Sequence, residues 1–299
     1  MYRHIHTNEC VNIDLMKCIV VICIYKRESR VVKTNAIKRE SDFQRQLRKN
    51  SYILREMVKK NFKAQYKNSL LGVLWTVLNP LLNMIVLSFV FSSMFADRLG
   101  GLNYPVYLFC GNLIFNIMNQ ITRNSLECLV WSSDLIKKVK ISYSVFPISN
   151  MFTALVNFGV AFIALLVIML IEGVAFHWTI FLTVLILPAV LFFSLGLGFI
   201  LSSMYVFFRD VKHLYEVFVT LWMYLTPIFY PANQFGEGLA GTIINLNPMT
   251  NYVTMFRQVV QMGQVPGVEF AIGYAWGIGM LLIGYLIFRM NRKKYILYI

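Results

Sequence analysis

The run VFPISNMFTALVNFGVAFIALLVIMLI, Val145–Ile171, is 27 residues long and carries no charged side chain. A helix of that length spans about 40 Å at 1.5 Å per residue, which exceeds the roughly 30 Å of hydrocarbon in a bilayer. Each charged side chain would add about 2.5–3.5 kcal/mol to insertion, so freedom from charge over this distance reads as a membrane span. Working outward, the uncharged runs 70–96, 102–122, Trp178–Phe207 and 270–288 read the same way, as does 214–230, which carries a single charge at Glu216. A seventh, 238–256, contains Asn245, Asn247, Pro248, Thr250 and Asn251. That much amide and backbone polarity is unsuited to a lipid-facing helix, and the stretch reads as a re-entrant or surface-lying pair of short helices. The fold expected is all-α and integral to the membrane, with six transmembrane helices.

Composition agrees. Of 299 residues, 58% are hydrophobic and 14% charged, with a mean hydropathy of +0.60; a soluble domain carries about a quarter charged residues. The net charge is +14. An even span count puts both termini on one side, and all 28 Lys and Arg except Arg98 and Arg257 then fall on that side. The positive-inside bias makes it cytoplasmic, as expected for a multi-pass protein with both termini inside. Anionic headgroups account for such basic flanks, and no nucleic-acid motif accompanies them. Cys10, Cys18, Cys23, Cys110 and Cys128 form no C-x-x-C pair, so neither a disulfide framework nor a thiolate metal site is expected.

Four stretches stand out beyond the spans. In 50–68, Leu54, Val58, Phe62 and Tyr66 share one helical face and Arg55, Lys59, Lys60, Lys63 and Lys67 the other, a pattern for a helix lying in the headgroup layer. In WSSDLIKKVK (131–140), Ser132 or Ser133 can cap a short helix, Asp134 suits its positive end, and Lys137 and Lys138 its negative end. Such a connector is equally an ordinary surface element or a docking knob. Tyr215, Phe218, Trp222 and Phe229 fall within about a 60° arc at helical spacing, as a packing stripe or as a stacking surface for sugar rings. Gly273 and Gly277 form a small-xxx-small pair for close helix approach. Arg123 and Glu127, one turn apart, are expected to neutralise one another.

The absences also count. No G-x-x-x-x-G-K-[ST] loop is present to cradle ATP, no paired carboxylates or Ser/His/Asp set converges, and ionisable residues are nearly missing from the spans. The chain is therefore not read as an enzyme, and no catalytic residue, metal site or cofactor of its own is expected. Energy for any transport would come from another subunit.

The ordered segments resemble the permease subunit of ABC exporters for O-antigen, capsule and teichoic-acid polymers. The resemblance rests on YKNSLLGVLW (66–75) and LNPLL (78–82), DLIKKVK (134–140) with Phe146 and Pro147, FFRDV (207–211), LTPIFYP (225–231) and NLNPMT (245–250) with 252–257. It covers 43 to the C-terminus: 43–69 as an amphipathic interface helix and 70–299 as a six-helix domain, with 1–42 as an extension outside it. In place of a more usual Phe-Pro stretch, this chain has Ile141, Ser142, Tyr143 and Ser144.

The resemblance implies a half-transporter: a second copy of the chain completes the pore, and two ATP-binding-cassette subunits, holding ATP and Mg, drive it. Asp134, Leu135, Ile136, Lys137 and Lys138 would couple to the ATPase. Lys59, Phe62, Lys63 and Tyr66 would border the entry for a lipid-linked glycan, Tyr215, Phe218, Trp222 and Phe229 would line the channel, and Asn247, Pro248, Tyr252 and Arg257 would form the re-entrant outer gate. The alternatives are a related permease for drugs or small lipids, or a membrane glycosyltransferase or ligase. The latter would need acids reaching its glycan, and Glu172, Glu237 and Glu269 are scattered.

Overall fold

The computed structural model describes residues 42–65, 72–95, 99, 101–138, 141–231 and 238–299; Tyr66, Arg98, Lys140, Glu237 and the cysteines Cys10, Cys18 and Cys23 lie outside these. Leu47–Ile299 packs as one compact unit, and every contact given below lies within it. Its helices are α1 (Asp42–Gln65), α2 (Trp75–Phe95, entered through a 3-10 turn at Gly72–Leu74), α3 (Tyr104–Trp131), α4 (Ser133–Lys138) and α5 (Val145–Ile171). A 3-10 turn at Trp178–Leu182 leads into α6 (Thr183–Phe207), followed by α7 (Val211–Leu225), α8 (Leu239–Leu246), α9 (Pro248–Arg257, running on into a π turn at Gln258–Met262) and α10 (Val268–Tyr298). There is no strand among the described residues.

Four segments are long and apolar enough to cross a membrane: Leu78–Phe95, Val145–Ile171, Trp178–Phe207 and Val268–Tyr298. Two runs expected to span fall short of that standard, each for a local reason. α3 is 28 residues long but carries Asn112, Asn116, Asn119, Gln120, Arg123 and Glu127 within about a 100° sector at 100° per residue. α7 stops after 15 residues, because Pro227 has no N–H to continue the ladder and holds Thr226 in an extended conformation (φ −89°, ψ 131°).

α3 is the central element. Its buried face, from Val106 through Leu129, packs against α5 and α6, with α2 and α9 completing the surround. The tightest pairing is α6 with α10, and it is made by residues with almost no side chain. Gly284 sits on the backbone of Gly196, Gly196 on that of Met280, and Gly277 on that of Ala189. The expected Gly273/Gly277 pair therefore divides its work: Gly277 meets α6, while Gly273 receives Tyr252 and Met255 of α9. Close backbone approach of this kind maximises dispersion contacts where no hydrophobic driving force separates helix from lipid.

At the end of the bundle where the lysines of α4 and the tail gather, a second core joins Leu129, Ile136, Phe146, Phe199, Phe288 and Tyr295. Phe288 lies 4.9 Å from Phe199 and 5.2 Å from Tyr295, ring centre to ring centre. A side chain at Gly284 has nowhere to go, whereas one at Gly279 meets open space. Gly284→Val should lower stability by about 1–3 kcal/mol, the usual cost of overpacking, read as a lower melting temperature of the detergent-solubilised protein. Gly279→Ala should leave it unchanged.

Candidate functional site

At the basic end, the short α4 buries one side and exposes the other. Ile136 is 9% exposed and belongs to the aromatic core, while Asp134, Leu135, Lys137 and Lys138 face outward and the neighbouring Trp131 is 82% exposed. A six-residue helix between two long ones has to turn one face onto the bundle, and the apolar Ile136 takes it. The outward apolar surface is therefore Trp131 with Leu135. The last turn of α10 leaves carbonyls without helical partners. Lys137 Nζ donates to the Ile299 carbonyl at 3.2 Å, and Arg209 Nη2 donates to that of Tyr298 at 3.2 Å. Basic side chains suit this negative end, and they tie α4 and the α6–α7 turn to α10.

Two cavities lie along one side of α3. The first, about 630 Å³, is bounded by Met57, Lys60 and Asn61 of α1, by Arg123, Asn124 and Glu127 of α3, and by Ser149, Asn150 and Thr153 of α5. The second, about 410 Å³, shares Gln65 and Gln120 with the first, and its described lining holds no charge. Asn112, Asn116 and Asn119 of α3 face Asn157 of α5 and Asn79 of α2 there, with Trp75, Phe109 and Phe158. Amide pairs position α1 over this cleft: Asn61 Nδ2 donates to Asn150 Oδ1 (3.0 Å) and Asn157 Nδ2 to Gln65 Oε1 (3.1 Å). Glu127 does not neutralise Arg123. Its carboxylate is 2.7 Å from Lys212 Nζ, across the bundle from α7, and Arg123 has no carboxylate at ion-pair distance among the described residues. Lys60 and Arg123 thus leave the first cavity positive.

Of the expected interface residues, Lys59 pairs with Glu56 at 3.5 Å, Lys63 is exposed and Phe62 half-buried; Tyr66 lies outside the described residues. Lys60, which lines the cleft, was read only as part of the basic helical face, and Gln65, which lines it too, was not singled out. Neither was the amide series of α3, although its periodic spacing is visible there.

At the opposite end, the stretch 226–231 is non-helical and carries carbonyls with no helical partner. Each is met. Arg257, 4% exposed, donates from Nη1 to Pro227 O (2.6 Å), from Nη2 to Ile228 O (3.0 Å) and from Nε to Tyr107 O (3.1 Å). Its guanidinium carbon lies 3.4 Å from the centre of the Tyr107 ring, a cation–π contact. Tyr104 donates to Phe229 O (2.9 Å) and Tyr107 to Tyr230 O (3.1 Å). Asn247 joins the same junction: it accepts from Trp222 Nε1 (2.8 Å) and from the Met249 N–H (3.0 Å), and donates to Thr226 Oγ1 (3.0 Å). Asn247 caps α9 and Pro248 occupies its first position. Tyr252, buried, donates to Gly273 O at 2.8 Å. Arg257 was counted as an outer-loop charge in the sequence; it is instead buried against α3.

The aromatic stripe is shorter than its spacing implied. Phe229 lies beyond the end of α7, beside Phe91 and Tyr224, so the helical arc holds Tyr215, Phe218 and Trp222 only. Tyr215 is buried and 2.6 Å from Thr122 Oγ1, Trp222 is tied to Asn247, and Phe218 is exposed. Among the described residues no three His, Cys, Asp or Glu come together as metal ligands.

The family model described as ABC-2 type transporter matches residues 52–260. Curated relatives include the O-antigen export system permease protein RfbA of Myxococcus xanthus, 30% identical over 73% of this chain and 83% of the relative. A protein of the same name from Klebsiella pneumoniae is 29% identical over 79% and 90%. The polysialic acid transport protein KpsM of Escherichia coli is 20% identical over 78% and 91%.

Replacing Arg257 by Met removes the donors of the Pro227 and Ile228 carbonyls, which have no helical partner, each costing about 1–3 kcal/mol if left unmet. Arg257→Met should therefore fall sharply in yield and melting temperature, and Arg257→Lys, which cannot span the three acceptors, should recover little. Gly111→Ala, whose methyl would meet Arg257 Nη2 and Ile228, should shift the same measurements in the same direction by less.

Proposed function

The chain belongs to the ABC-2 type transporter family, and from that premise we propose that it is the pore-forming permease of an ATP-driven exporter of lipid-linked polysaccharide. The observation that carries this reading is similarity over most of the chain to permeases named for O-antigen export, with the more distant polysialic acid protein of the same kind. On this reading α3 and α7 also cross the plasma membrane, making six spans. The basic end is cytoplasmic, and 245–250 with 252–257 forms the outer gate, the short helices α8 and α9 re-entering from outside. α3 tolerates its amides because they face protein and a hydrated cleft rather than lipid.

A separate pair of ATPase subunits binds ATP and Mg, and a second copy of the chain completes the pore. Support for a second copy comes from exposed apolar rows on α2 (Leu82, Ile85, Val86, Phe89) and α7 (Leu214, Val217, Phe218, Leu221). Phe218 on that α7 row is the stripe member available to a channel, with Tyr215 and Trp222 bracing it from within. Lys60 and Arg123 offer a diphosphate headgroup a positive berth beneath α1. Leu135 and Trp131, exposed together with Lys137 and Lys138, form the surface on which an ATPase cleft would close.

Purified from its native membrane, the chain should bring down a separate nucleotide-hydrolysing subunit, and organic extraction should release a polyprenyl-diphosphate glycan. Sugar transfer or gradient-driven transport by the chain alone in liposomes would overturn the proposal. Leu135→Asp should keep normal abundance while losing most ATPase co-purification and export. Ile136→Asp, by contrast, should lower abundance itself, since it places a charge in the aromatic core.

A further inference from the structure

We infer that the uncharged cavity between α2, α3 and α5 is a saccharide site, holding sugar rings of the transported polymer through their hydroxyls. This rests on the exporter reading and narrows it to one place in the fold. The volume, about 410 Å³, falls within the range of ordinary ligand pockets. What distinguishes it is the lining: Gln65, Asn79, Asn112, Asn116, Asn119 and Gln120 are all primary amides.

A primary amide presents two N–H donors and a carbonyl acceptor, the complement of a hydroxyl, which both donates and accepts. The amide most open to the cavity, Asn116, is engaged among the described residues by Asn112 alone, at 2.9 Å, which leaves it donor and acceptor capacity to spare. Seven amides around one space, counting Asn157, suit a hydrogen-bonding occupant. Trp75, half-open at the mouth, supplies the flat apolar surface that the C–H face of a sugar ring fits.

Neutrality matters as much. With no fixed charge, the lining holds a neutral or charged sugar alike by exchangeable hydrogen bonds, and no single contact is strong enough to stall a moving chain. The neighbouring cavity, with Lys60 and Arg123, differs in this respect, so charge and hydroxyl recognition are separated along one cleft and meet at Gln65 and Gln120.

The test uses the whole complex in cells that make the polymer. A photo-crosslinking amino acid is introduced at Asn116, at Asn79 and, as a control, at the exposed Val184 of α6. After irradiation the purified chain is probed by periodate oxidation and hydrazide labelling. Labelling should be several-fold stronger at positions 116 and 79 than at 184, and should vanish when polymer synthesis is blocked. Labelling at 116 and 79 that is absent or no stronger than at 184, in cells that still export, overturns the inference while leaving the exporter reading intact. Surface polymer unchanged by loss of the gene would overturn the exporter reading itself. As a second measure, Asn112→Leu with Asn116→Leu should slow export at normal chain abundance, and Asn116→Gln should restore part of it in the Asn112 wild-type background. Wild-type export by the double variant counts against the site.

Discussion

A polar group withdrawn from water must find its partner within the protein, and this constraint organises the molecule at both ends and in its middle. The break after α7 is the sharpest case. Pro227 ends the helix and leaves four consecutive carbonyls, from Pro227 to Tyr230, in a buried junction. Arg257 takes two and the hydroxyls of Tyr104 and Tyr107 take the others. Arginine suits the task because its planar fork offers five donors, and its charge is met by carbonyl dipoles and the Tyr107 face instead of an acid. The position requires Gly111 on α3, since a larger residue would occupy the space of the guanidinium.

The same demand explains what the sequence disclosed and what it concealed. Runs without charge located the long helices, because the cost of inserting a charge is large and local. The pair of short helices around Asn247 and Pro248 was legible because the chemistry of those residues acts within a turn. Partners distant in sequence were not legible. Glu127 could be matched with Arg123 on spacing, yet it meets Lys212 across the bundle, and no local pattern carries that information. Ile136 and Leu135 are adjacent and equally apolar, and only the packing against Phe288 and Tyr295 decides which is inside. Phe229 fitted the helical arc of Tyr215 until the helix was found to end four residues before it. The amide series of α3 was visible but was masked by treating freedom from charge as equivalent to freedom from polarity.

Rigidity is unevenly distributed, which bears on how an exporter of this form could work. α6 and α10 meet backbone to backbone through Gly196, Gly277 and Gly284, and α3 is enclosed on most of its circumference. α2 differs: hardly any of its apolar length is buried within the chain, and the amide cavity lies between it and α3. Interiors packed through small residues transmit displacement as units rather than deforming. A push at α4 would therefore pass through Ile136 into the Phe288–Tyr295 core and along α10, reinforced by the Lys137 and Arg209 contacts to the end of that helix. α2, held more loosely, is the element able to shift against that frame.

The placement of the two cavities then acquires a consequence. A polymer moving past a fixed series of sites needs each site to bind and release at comparable cost, and charged contacts at membrane depth satisfy this poorly because a lone buried charge is expensive whenever its partner departs. Amides do not share the penalty to the same degree: Asn112 and Asn116, or Asn157 and Gln65, bond to one another when nothing else is present. Each pair can open to a hydroxyl and close behind it with little net change in hydrogen bonds. Along this cleft, positive side chains are confined to the first cavity, where Lys60 and Arg123 are exposed. On the proposed reading, a charged cavity followed by a neutral one suits capture of a diphosphate first and passage thereafter, whereas the reverse order would hold the headgroup at depth.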